Sequence, residues 1–288
     1  MRVLIFGLGY TGAAVARAAI AAGVAVVATS RDPAGVVAPP GATICHFEDA
    51  APEIALATHI LATAPPGAVG DPVLARYEAA LQAAPQLRWV GYLSTTGVYG
   101  DRQGGWVDED SDVRADTPRA TRRIEAEQTW ARLADHVAVD LFRVAGIYGP
   151  GRSALDDVRS GRARRVIKPG HAFGRTHRDD IAGAVLAAMR QSLAPGRRVL
   201  HLADDQPEES AVVTAYAAAL LGLAAPPAIA YAEAALGMSE MARSFWADNR
   251  KVASRITQER LGYRWKHPSY REGLASILAE ERGEGGDQ

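Results

Sequence analysis

Three glycines near the start of the chain, Gly7, Gly9 and Gly12, constrain its fold more than any other feature. They follow the apolar run Val3–Phe6 and precede the alanine-rich stretch Ala13–Ala22, a pattern that predicts a strand, a tight turn and a helix. In such a turn the first glycine permits the bend, the second lets a pyrophosphate approach the backbone, and the third lets the helix pack closely on the strand. Unpaired N–H groups at the start of the helix then favour an anion. The spacing predicts a dinucleotide-binding turn, with a glycine turn that holds no ligand as the alternative.

Short apolar runs alternate with helical patterns along much of the remaining chain. Near-continuous apolar strands between helices indicate a parallel sheet that is covered on both faces. The sequence therefore predicts an α/β fold with a Rossmann-type, doubly wound parallel sheet. The predicted strands are Val3–Phe6, Val24–Thr29, Ile60–Ala64, Trp89–Ser94, Val139–Val144 and Arg198–Leu202, and the predicted helices are Ala13–Ala22, Leu74–Ala84, Glu125–Leu133 and Asp180–Gln191.

The C-terminal part of the chain is predicted to form a separate, smaller lobe. It is alanine-rich and mostly helical in pattern, and Pro226 and Pro227 interrupt it. We expect a mainly helical substrate lobe of residues 151–170 and 206–288 beside a dinucleotide-binding domain of residues 1–150 and 171–205. The tail from residue 283 to residue 288 is predicted to fray.

Composition limits the partners and the compartment of the chain. The formal net charge of −1 gives no general attraction to nucleic acid or to anionic lipid. No apolar stretch reaches the roughly 20 residues that a membrane span needs. Cys45 is the one cysteine, so an internal disulfide is impossible and a cytoplasmic location is expected. A homodimer is compatible with the sequence.

The end of the second predicted strand bears on the choice of cofactor. A carboxylate at this place usually binds the ribose 2′-hydroxyl of NAD(H), whereas here the chain reads Thr29, Ser30 and Arg31. A guanidinium can bind a 2′-phosphate through its planar fork, so the sequence predicts that NADP(H) is preferred while NAD(H) is still allowed. In the alternative reading, Arg31 is a solvated loop charge and Asp32 takes the ribose. Tyr10, within the glycine turn, is also predicted to contact the cofactor, as is its neighbour Thr11.

Four further segments resemble one enzyme family. They are Ser94–Gly100 (STTGVYG), Phe142–Gly151 (FRVAGIYGPG), Arg175–Asp180 (RTHRDD), and the stretch from Arg250 and Lys251 to Leu261, Gly262 and Tyr263. Together they are similar, over nearly the whole length, to the extended short-chain dehydrogenase/reductase family, which contains nucleotide-sugar epimerases and dehydratases. The resemblance implies that Thr95 helps to polarise a substrate and that Asp49 lies near the adenine.

One departure from the family pattern bears directly on catalysis. The family places Tyr-x-x-x-Lys on the helix after the Thr95 loop, with tyrosine as the acid/base. Aligned through Glu127, this chain has Arg119 at the tyrosine position and Arg123 at the lysine position. A guanidinium cannot give up its proton near neutral pH, so neither residue can perform the transfer. The resemblance still allows Arg123 to contact the cofactor ribose.

Few residues are available to replace the missing pair. Tyr99 lies four residues past Thr95 and is the predicted second catalytic residue, although a tyrosine titrates near 10 and needs a cationic neighbour to work at neutral pH. The alternative is that it packs as a loop aromatic. His177 falls on a structural position of the family. Cys45 and His46 are adjacent strand residues on opposite faces, so no metal site is expected.

A basic segment follows the predicted dinucleotide-binding domain. It runs from Arg159 to Arg165 (RSGRARR), with Lys168 beyond it, and it either binds an anionic substrate or forms a solvated loop. The expected substrate is small and polar, or phosphorylated.

Two functions are compatible with these features. The first is an NAD(P)-dependent oxidoreductase, or a nucleotide-sugar epimerase/dehydratase-like enzyme, with an altered active site. The second is an NADP(H)-binding sensor or partner protein without turnover. Fold alone does not choose between them.

Overall fold

A computed structural model describes residues 1–283, and the predicted fraying of residues 284–288 lies outside this range. The strands, in chain order, are β1 (Arg2–Phe6), β2 (Ala25–Ser30), β3 (Ala42–His46), β4 (His59–Ala62), β5 (Trp89–Thr95), β6 (Trp106–Val107), β7 (Ala138–Val144), β8 (Gly146–Tyr148), β9 (Arg165–Ile167), β10 (Ala172–Phe173), β11 (Arg175–His177), β12 (Gly196–Leu202), β13 (Glu208–Glu209), β14 (Ala228–Ala230) and β15 (Lys251–Val252). The α-helices are α1 (Tyr10–Ala21), α2 (Ala51–Leu56), α3 (Pro72–Gln82), α4 (Pro118–Ala131), α5 (Ala154–Arg159), α6 (Arg178–Met189), α7 (Ser210–Leu220), α8 (Tyr231–Ala234), α9 (Glu240–Ala247), α10 (Arg255–Leu261) and α11 (Tyr270–Glu281).

Seven strands form the central sheet in the order β12-β7-β5-β4-β1-β2-β3, and every neighbouring pair is parallel. The chain starts in the middle at β1, moves outward to β3, and returns to the other side of β1 at β4. Leu4 of β1 therefore lies opposite both Val27 of β2 and Ile60 of β4. This order confirms the predicted Rossmann-type sheet. It also creates a point at the carboxyl ends of β1 and β4 where the strand order reverses, the place at which open α/β sheets bind ligands.

Both faces of the sheet are buried, and β1 shows how alternation assigns them. Val3 and Ile5 face a cluster that contains alanines of α1 and α6, while Leu4 and Phe6 face a second cluster with α2, α3 and α4. All four side chains are at most 1% exposed. Because successive strand side chains point to opposite faces, a continuous apolar run fits this double burial.

A buried carboxylate joins three neighbouring strands of the sheet. Asp140 of β7 is fully buried and accepts hydrogen bonds from Trp89 Nε1 of β5 (2.7 Å) and from Arg198 Nε and Nη2 of β12 (2.7 and 2.8 Å). The indole crosses Gly91, where an added Cβ would lie 2.3 Å from the Trp89 ring. The charge of Asp140 is thus compensated within the sheet.

Helix α4 begins at Pro118, seven residues before the predicted start at Glu125. Thr117 caps it by accepting a hydrogen bond from Ala120 N (3.1 Å), and Pro118 occupies the first turn, where its missing N–H costs nothing. The first half of the helix is rich in arginine, so an apolar pattern alone does not reveal it.

A third apolar cluster lies away from the sheet. It joins α5, α7 and α11 around Leu155, Ala217 and Leu274. Short strand pairs also connect distant segments, namely β8 with β11, β9 with β14, β10 with β13, and β6 with β15. Among residues 1–283, no helix has the length and apolar character to cross a membrane.

Candidate cofactor and substrate site

The glycine turn between β1 and α1 has two positions that packing restricts to glycine. Gly7 has a φ of 99°, in the region that side chains disfavour. At Gly12, an added Cβ would lie 2.2 Å from the Gly7 carbonyl oxygen. The Thr63 hydroxyl at the end of β4 lies 2.8 Å from that same oxygen and donates to it, which ties the turn to the neighbouring strand.

Gly9 is a glycine for a different reason. An added Cβ here would meet no atom within 4 Å, so packing within the protein does not require a glycine at this position. Gly9 is the N-cap of α1, makes no side-chain capping bond, and is followed by no acidic residue in the first turn. The N–H groups of this first turn have no partner within the helix. The residues present therefore fit a bound phosphate, because the open space lies against uncapped N–H groups.

Tyr10 connects the glycine turn to a distant loop. Its hydroxyl donates to the Pro150 carbonyl oxygen (3.0 Å), and the guanidinium carbon of Arg178 lies 5.3 Å from its ring centroid. Burial raises the pKa of this hydroxyl. Thr11, the next residue, is half-buried. Tyr10 therefore connects segments of the protein through these contacts, in addition to any contact with a ligand.

The residues after β2 form a small turn at the same edge of the sheet. Ser30 Oγ accepts from Asp32 N (3.0 Å), and Asp32 Oδ1 accepts from Gly35 N (3.2 Å). The Arg31 side chain is exposed, and within residues 1–283 it forms no ion pair. Asp32 stabilises its own turn, while the guanidinium of Arg31 is accessible.

Strand β3 brings Asp49 toward that edge. Ser30 pairs in register with His46, and the short 3-10 helix Phe47–Asp49 follows, with the Asp49 side chain exposed. Both His46 nitrogens are engaged, Nδ1 by Glu48 N (3.2 Å) and Nε2 by the Arg31 carbonyl oxygen (3.0 Å).

Thr95 ends β5 and is half-buried. Its Oγ1 accepts a hydrogen bond from Gly97 N (3.1 Å), which caps the 3-10 helix Thr96–Tyr99. Within the described chain, the Thr95 hydroxyl hydrogen has no acceptor among the hydrogen bonds found, so this side chain can donate to a ligand.

Tyr99 lies in the core, and this corrects the expectation that it could face a ligand. It is 0% exposed, its hydroxyl accepts from Arg143 Nη1 (2.6 Å), and it lies 2.5 Å from His201 Nε2. The Tyr99 hydroxyl also donates to the Asp108 carbonyl oxygen (3.1 Å), and His201 Nδ1 donates to the Ala253 carbonyl oxygen (2.7 Å). A cationic neighbour is present, yet burial outweighs it and raises the pKa of Tyr99 to about 12. Tyr99 is therefore a structural residue.

A buried ion pair lies beside Tyr99. Glu127 of α4 and Arg143 of β7 are 4% and 6% exposed, and Arg143 Nη2 donates to Glu127 Oε2 (2.7 Å). The other carboxylate oxygen accepts from Ser94 Oγ (2.5 Å) and from Arg143 Nε (3.2 Å). These bonds fix the carboxyl ends of β5 and β7, next to Thr95.

The two arginines at the family's tyrosine and lysine positions differ in their surroundings. Arg123 Nη1 donates to Tyr92 OH and to the Leu93 carbonyl oxygen, both at 2.9 Å, so one end of this guanidinium is fixed on β5. Arg119 is exposed, with its guanidinium carbon 5.6 Å from the Phe245 ring centroid. Both side chains can donate hydrogen bonds, but neither can exchange a proton near neutral pH.

His177 has a structural position at the start of α6. Its Nδ1 accepts from Asp179 N (3.3 Å), and its ring centroid lies 3.9 Å from that of His267. Burial, together with His267, lowers the pKa of His177 to about 4. These two histidines and Asp180 present potential ligand atoms within 4.8 Å of one another. However, the Asp180 carboxylate already accepts from His267 N, His267 Nδ1 and Lys266 N (3.0, 2.9 and 2.7 Å).

Two of the four arginines of the basic segment, and Lys168 beyond it, are engaged by other residues. Arg159 pairs with Glu281 (2.5 Å), and Arg162 pairs with Asp157 (3.3 Å). Lys168 donates to the Trp246 carbonyl oxygen and lies 4.6 Å from the Tyr231 ring centroid. Both readings of the segment therefore remain open, with fewer free charges than the sequence indicates.

One known structure decides which family this chain belongs to. A conserved protein of unknown function from Silicibacter pomeroyi DSS is 41% identical, with a TM-score of 0.90 over 97% of this chain and 98% of that one. The chain belongs to the family of that protein. No family model matches this chain.

More distant structures share the fold with this family. MoeE5 in complex with UDP-glucuronic acid and NAD has a TM-score of 0.76 at 20% identity, over 98% of this chain and 100% of its own. The human epimerase family protein SDR39U1 with NADPH has a TM-score of 0.71 at 20% identity, over 96% and 99%. A putative NAD-dependent epimerase/dehydratase from Methylobacillus flagellatus has a TM-score of 0.73 at 24% identity, over 98% of each chain. These neighbours confirm the resemblance in fold.

A curated relative matches a shorter stretch. Protein YeeZ of Escherichia coli strain K12 is 32% identical over 102 residues, which is 33% of this chain. The match spans about a third of YeeZ, 32% of its length.

Sequence patterns alone do not identify the buried pair or one cation near Thr95. In the sequence, Glu127 only fixes the alignment with the family's Tyr-x-x-x-Lys segment. Arg143, a charged residue between apolar residues of a buried strand, does indicate that a buried counter-ion is present. Arg250 lies in a segment that resembles the family, and the resemblance implies no role for it. Its guanidinium approaches the Thr95 loop, and no local pattern reveals this because 150 residues separate it from the contacted Gly100.

Proposed function

We propose that this chain is an NADP(H)-dependent oxidoreductase or epimerase/dehydratase-like enzyme with an altered active site. The observation that carries the proposal is the open space beside Gly9, at the uncapped start of α1 and at the reversal of strand order. A dinucleotide pyrophosphate fits such a place through backbone N–H groups and the helix dipole. The fold neighbours MoeE5 and SDR39U1 are in complex with NAD and with NADPH, respectively, which supports a nicotinamide dinucleotide.

The preference for NADP(H) rests on the turn after β2. Arg31 is exposed without an ion-pair partner in the described chain, and Ser30 is beside it, so a 2′-phosphate would meet a guanidinium and a hydroxyl. The Asp32 carboxylate accepts from Gly35 N and stabilises its own turn. Asp49, on the adjacent edge, is proposed to contact the adenine, and Arg123 the ribose.

Thr95 is the proposed substrate-binding residue of the catalytic site. The bound nicotinamide would supply hydride exchange at its C4 atom. The Thr95 hydroxyl would donate to the reacting oxygen, because its own oxygen already accepts from Gly97 N and its hydrogen is available. We expect standard epimerase and dehydratase activities to be absent or slower by about 10²–10⁴-fold, since Arg119 cannot act as the acid/base.

The surroundings of the reaction are also proposals. The substrate would be small and polar, or phosphorylated, and held by a lobe of residues 151–170 and 206–288. We further propose a cytoplasmic location, because Cys45 is the single cysteine, and a homodimer as the oligomeric state.

A second candidate function is an NADP(H)-binding protein without turnover. The specific observation in its favour is the burial of Tyr99, whose hydroxyl is bonded to Arg143 and His201. This removes the residue best suited to replace the family's tyrosine.

Fluorescence titration of the full chain with NADPH and NADH tests the cofactor proposal. Saturable binding with tighter affinity for NADPH is expected, and absence of binding of either dinucleotide at millimolar concentration would refute it. A screen of nucleotide sugars and small carbonyl compounds with NADPH then separates the two functions. Turnover that falls in Thr95→Val but persists in Tyr99→Phe supports the enzyme, whereas tight NADPH binding with no turnover supports the second candidate.

A further inference from the structure

The segment that carries Arg250 is held firmly against the loop after the Thr95 strand. Asn249 N donates to Asp101 Oδ1 (2.8 Å), and Arg102 N donates to the Asn249 carbonyl oxygen (3.0 Å). On the other side of Arg250, Lys251 N donates to the Gly105 carbonyl oxygen (2.9 Å). The backbone on both sides of Arg250 is therefore positioned by residues far away in the sequence.

The Arg250 guanidinium is fixed at one end and open at the other. Nη1 donates to the Gly100 carbonyl oxygen (2.9 Å) and to Asp248 Oδ2 (3.0 Å), and the side chain is 16% exposed. Nε and Nη2 make no hydrogen bond among those found in residues 1–283. Since an arginine has five N–H donors in a rigid plane, the edge formed by Nε and Nη2 still has three of them.

The unbonded Nη2 of Arg250 lies close to the Thr95 hydroxyl, with Gly97 between them. A Cβ added to Gly97 would lie 3.8 Å from Arg250 Nη2 and 3.3 Å from Thr95 Oγ1. The φ of Gly97 is not positive, so its backbone does not demand glycine. A methyl group at this position would crowd Thr95 Oγ1 and contact Arg250 Nη2, so the two donors lie around the bare Cα of Gly97.

We propose that Arg250 and Thr95 together bind an anionic group of the substrate, a carboxylate or a phosphate, through their unused donors over Gly97. A guanidinium edge matches two oxygens of such a group, and its charge persists at every physiological pH. Asp248 holds the guanidinium in place from the opposite end, as carboxylates that orient ligand-binding side chains do. The inference extends the proposed function, because it defines the substrate class of the same site.

Titration of the full chain with inorganic phosphate and, separately, with oxalate tests this site. Saturation with NADP⁺ beforehand fills the glycine turn and Arg31, and calorimetry then reports the remaining anion site. Arg250→Gln is expected to weaken anion binding roughly ten- to a hundredfold, with NADP⁺ affinity unchanged. The matched control is Arg255→Gln, which removes an arginine that is 74% exposed on α10, and it should bind both anions like the wild type.

A second variant keeps both donors and adds bulk at Gly97. Gly97→Ala places a methyl group between Thr95 and Arg250, and it should weaken anion binding without removing any charge. This variant carries the test if Arg250→Gln does not fold. Preference for phosphate or for oxalate then identifies which anionic group the substrate has.

Several results would overturn the inference. These are equal anion affinity for the Arg250 and Arg255 variants, unaltered binding in Gly97→Ala, or no binding of either anion by the wild type up to about 10 mM. Loss of NADP⁺ and anion together in Arg250→Gln would also overturn it. If the wild type binds no NADP⁺, the proposed function fails, and the same comparison of variants without cofactor still decides the anion site.

Discussion

Replacing Glu127 by glutamine removes one charge from the core while preserving the shape of the side chain. Its carboxylate accepts hydrogen bonds from Nε and Nη2 of Arg143 and from the Ser94 hydroxyl, and the Glu127 and Arg143 residues are at most 6% exposed. Arginine stays protonated, so Glu127→Gln leaves a buried cation without a counter-ion. The new amide group also presents hydrogens toward Arg143, where the carboxylate oxygen accepted them.

The expected cost is large for a single isosteric substitution. Breaking a buried ion pair by removing one partner typically destabilises a protein by about 3–5 kcal/mol. For a chain of this size, such a loss lowers the midpoint of thermal unfolding by roughly 6–20 °C. The matched control is Glu259→Gln, because the Glu259 pair with Arg255 has the same 2.7 Å separation, but its side chains are 48% and 74% exposed. We expect about 0.5 kcal/mol or less from the control.

Urea unfolding followed by circular dichroism measures both variants under one condition. The urea midpoint should fall markedly in Glu127→Gln and hardly change in Glu259→Gln, with similar slopes. A double variant, Glu127→Leu with Arg143→Met, should be more stable than Glu127→Leu alone, since no charge then remains buried. If the buried and exposed variants lose equal stability, the assignment of Glu127 and Arg143 as a strong buried pair is wrong.

Three further predictions concern the cofactor turn and a buried carboxyl group. Arg31→Ala should weaken NADPH binding roughly ten- to a hundredfold and NADH binding hardly at all, because only NADPH offers a 2′-phosphate, and equal losses would contradict this role. Gly12→Ala should abolish NADPH binding and lower stability by about 1–3 kcal/mol, since its Cβ would lie 2.2 Å from the Gly7 oxygen, and unchanged titration curves would disprove this. Asp204 is 3% exposed, and within residues 1–283 neither of its carboxyl oxygens has a hydrogen-bond partner. Burial raises the pKa of this carboxyl group to about 8, because the nearby charge of Arg175 offsets the burial only in part. Above pH 4 the unfolded chain releases the Asp204 proton, whereas the folded state keeps it up to about pH 8, so the wild type loses stability as the pH rises through this range. Asp204→Asn has no such proton and should be more stable than the wild type by a difference that grows to about 5 kcal/mol at pH 8. Unfolding midpoints measured across that range should diverge, and a constant difference would refute the shift.

The parallel sheet could be predicted from the sequence because burial on both faces leaves continuous apolar runs. The predicted strand Val139–Val144 is observed as Ala138–Val144, and the predicted helix Leu74–Ala84 as Pro72–Gln82. The glycine turn could be placed for a related reason, since its constraints act between residues that are close in sequence. Local patterns therefore suffice where the physical cause is local.

The catalytic side of the site could not be predicted in the same way. Tyr99 is buried through contacts with Arg143 and His201, which are 44 and 102 residues away. Arg250 approaches the Thr95 loop across a comparable separation, and its backbone depends on a short pairing of β15 with β6. Such contacts depend on how distant elements pack, and no spacing in the sequence encodes them.

The carboxylate of Asp140 has a consequence for how the sheet aligns itself during folding. Parallel strands have no tight hairpin to set their register, so β5, β7 and β12 must find it through side chains. A slip of one residue would turn Asp140 to the opposite face, away from the Trp89 indole and the Arg198 guanidinium, and leave a buried charge unpaired. These three residues therefore penalise sheets with the wrong register, and the correct alignment of the strand ends at the ligand-binding edge depends on their contacts.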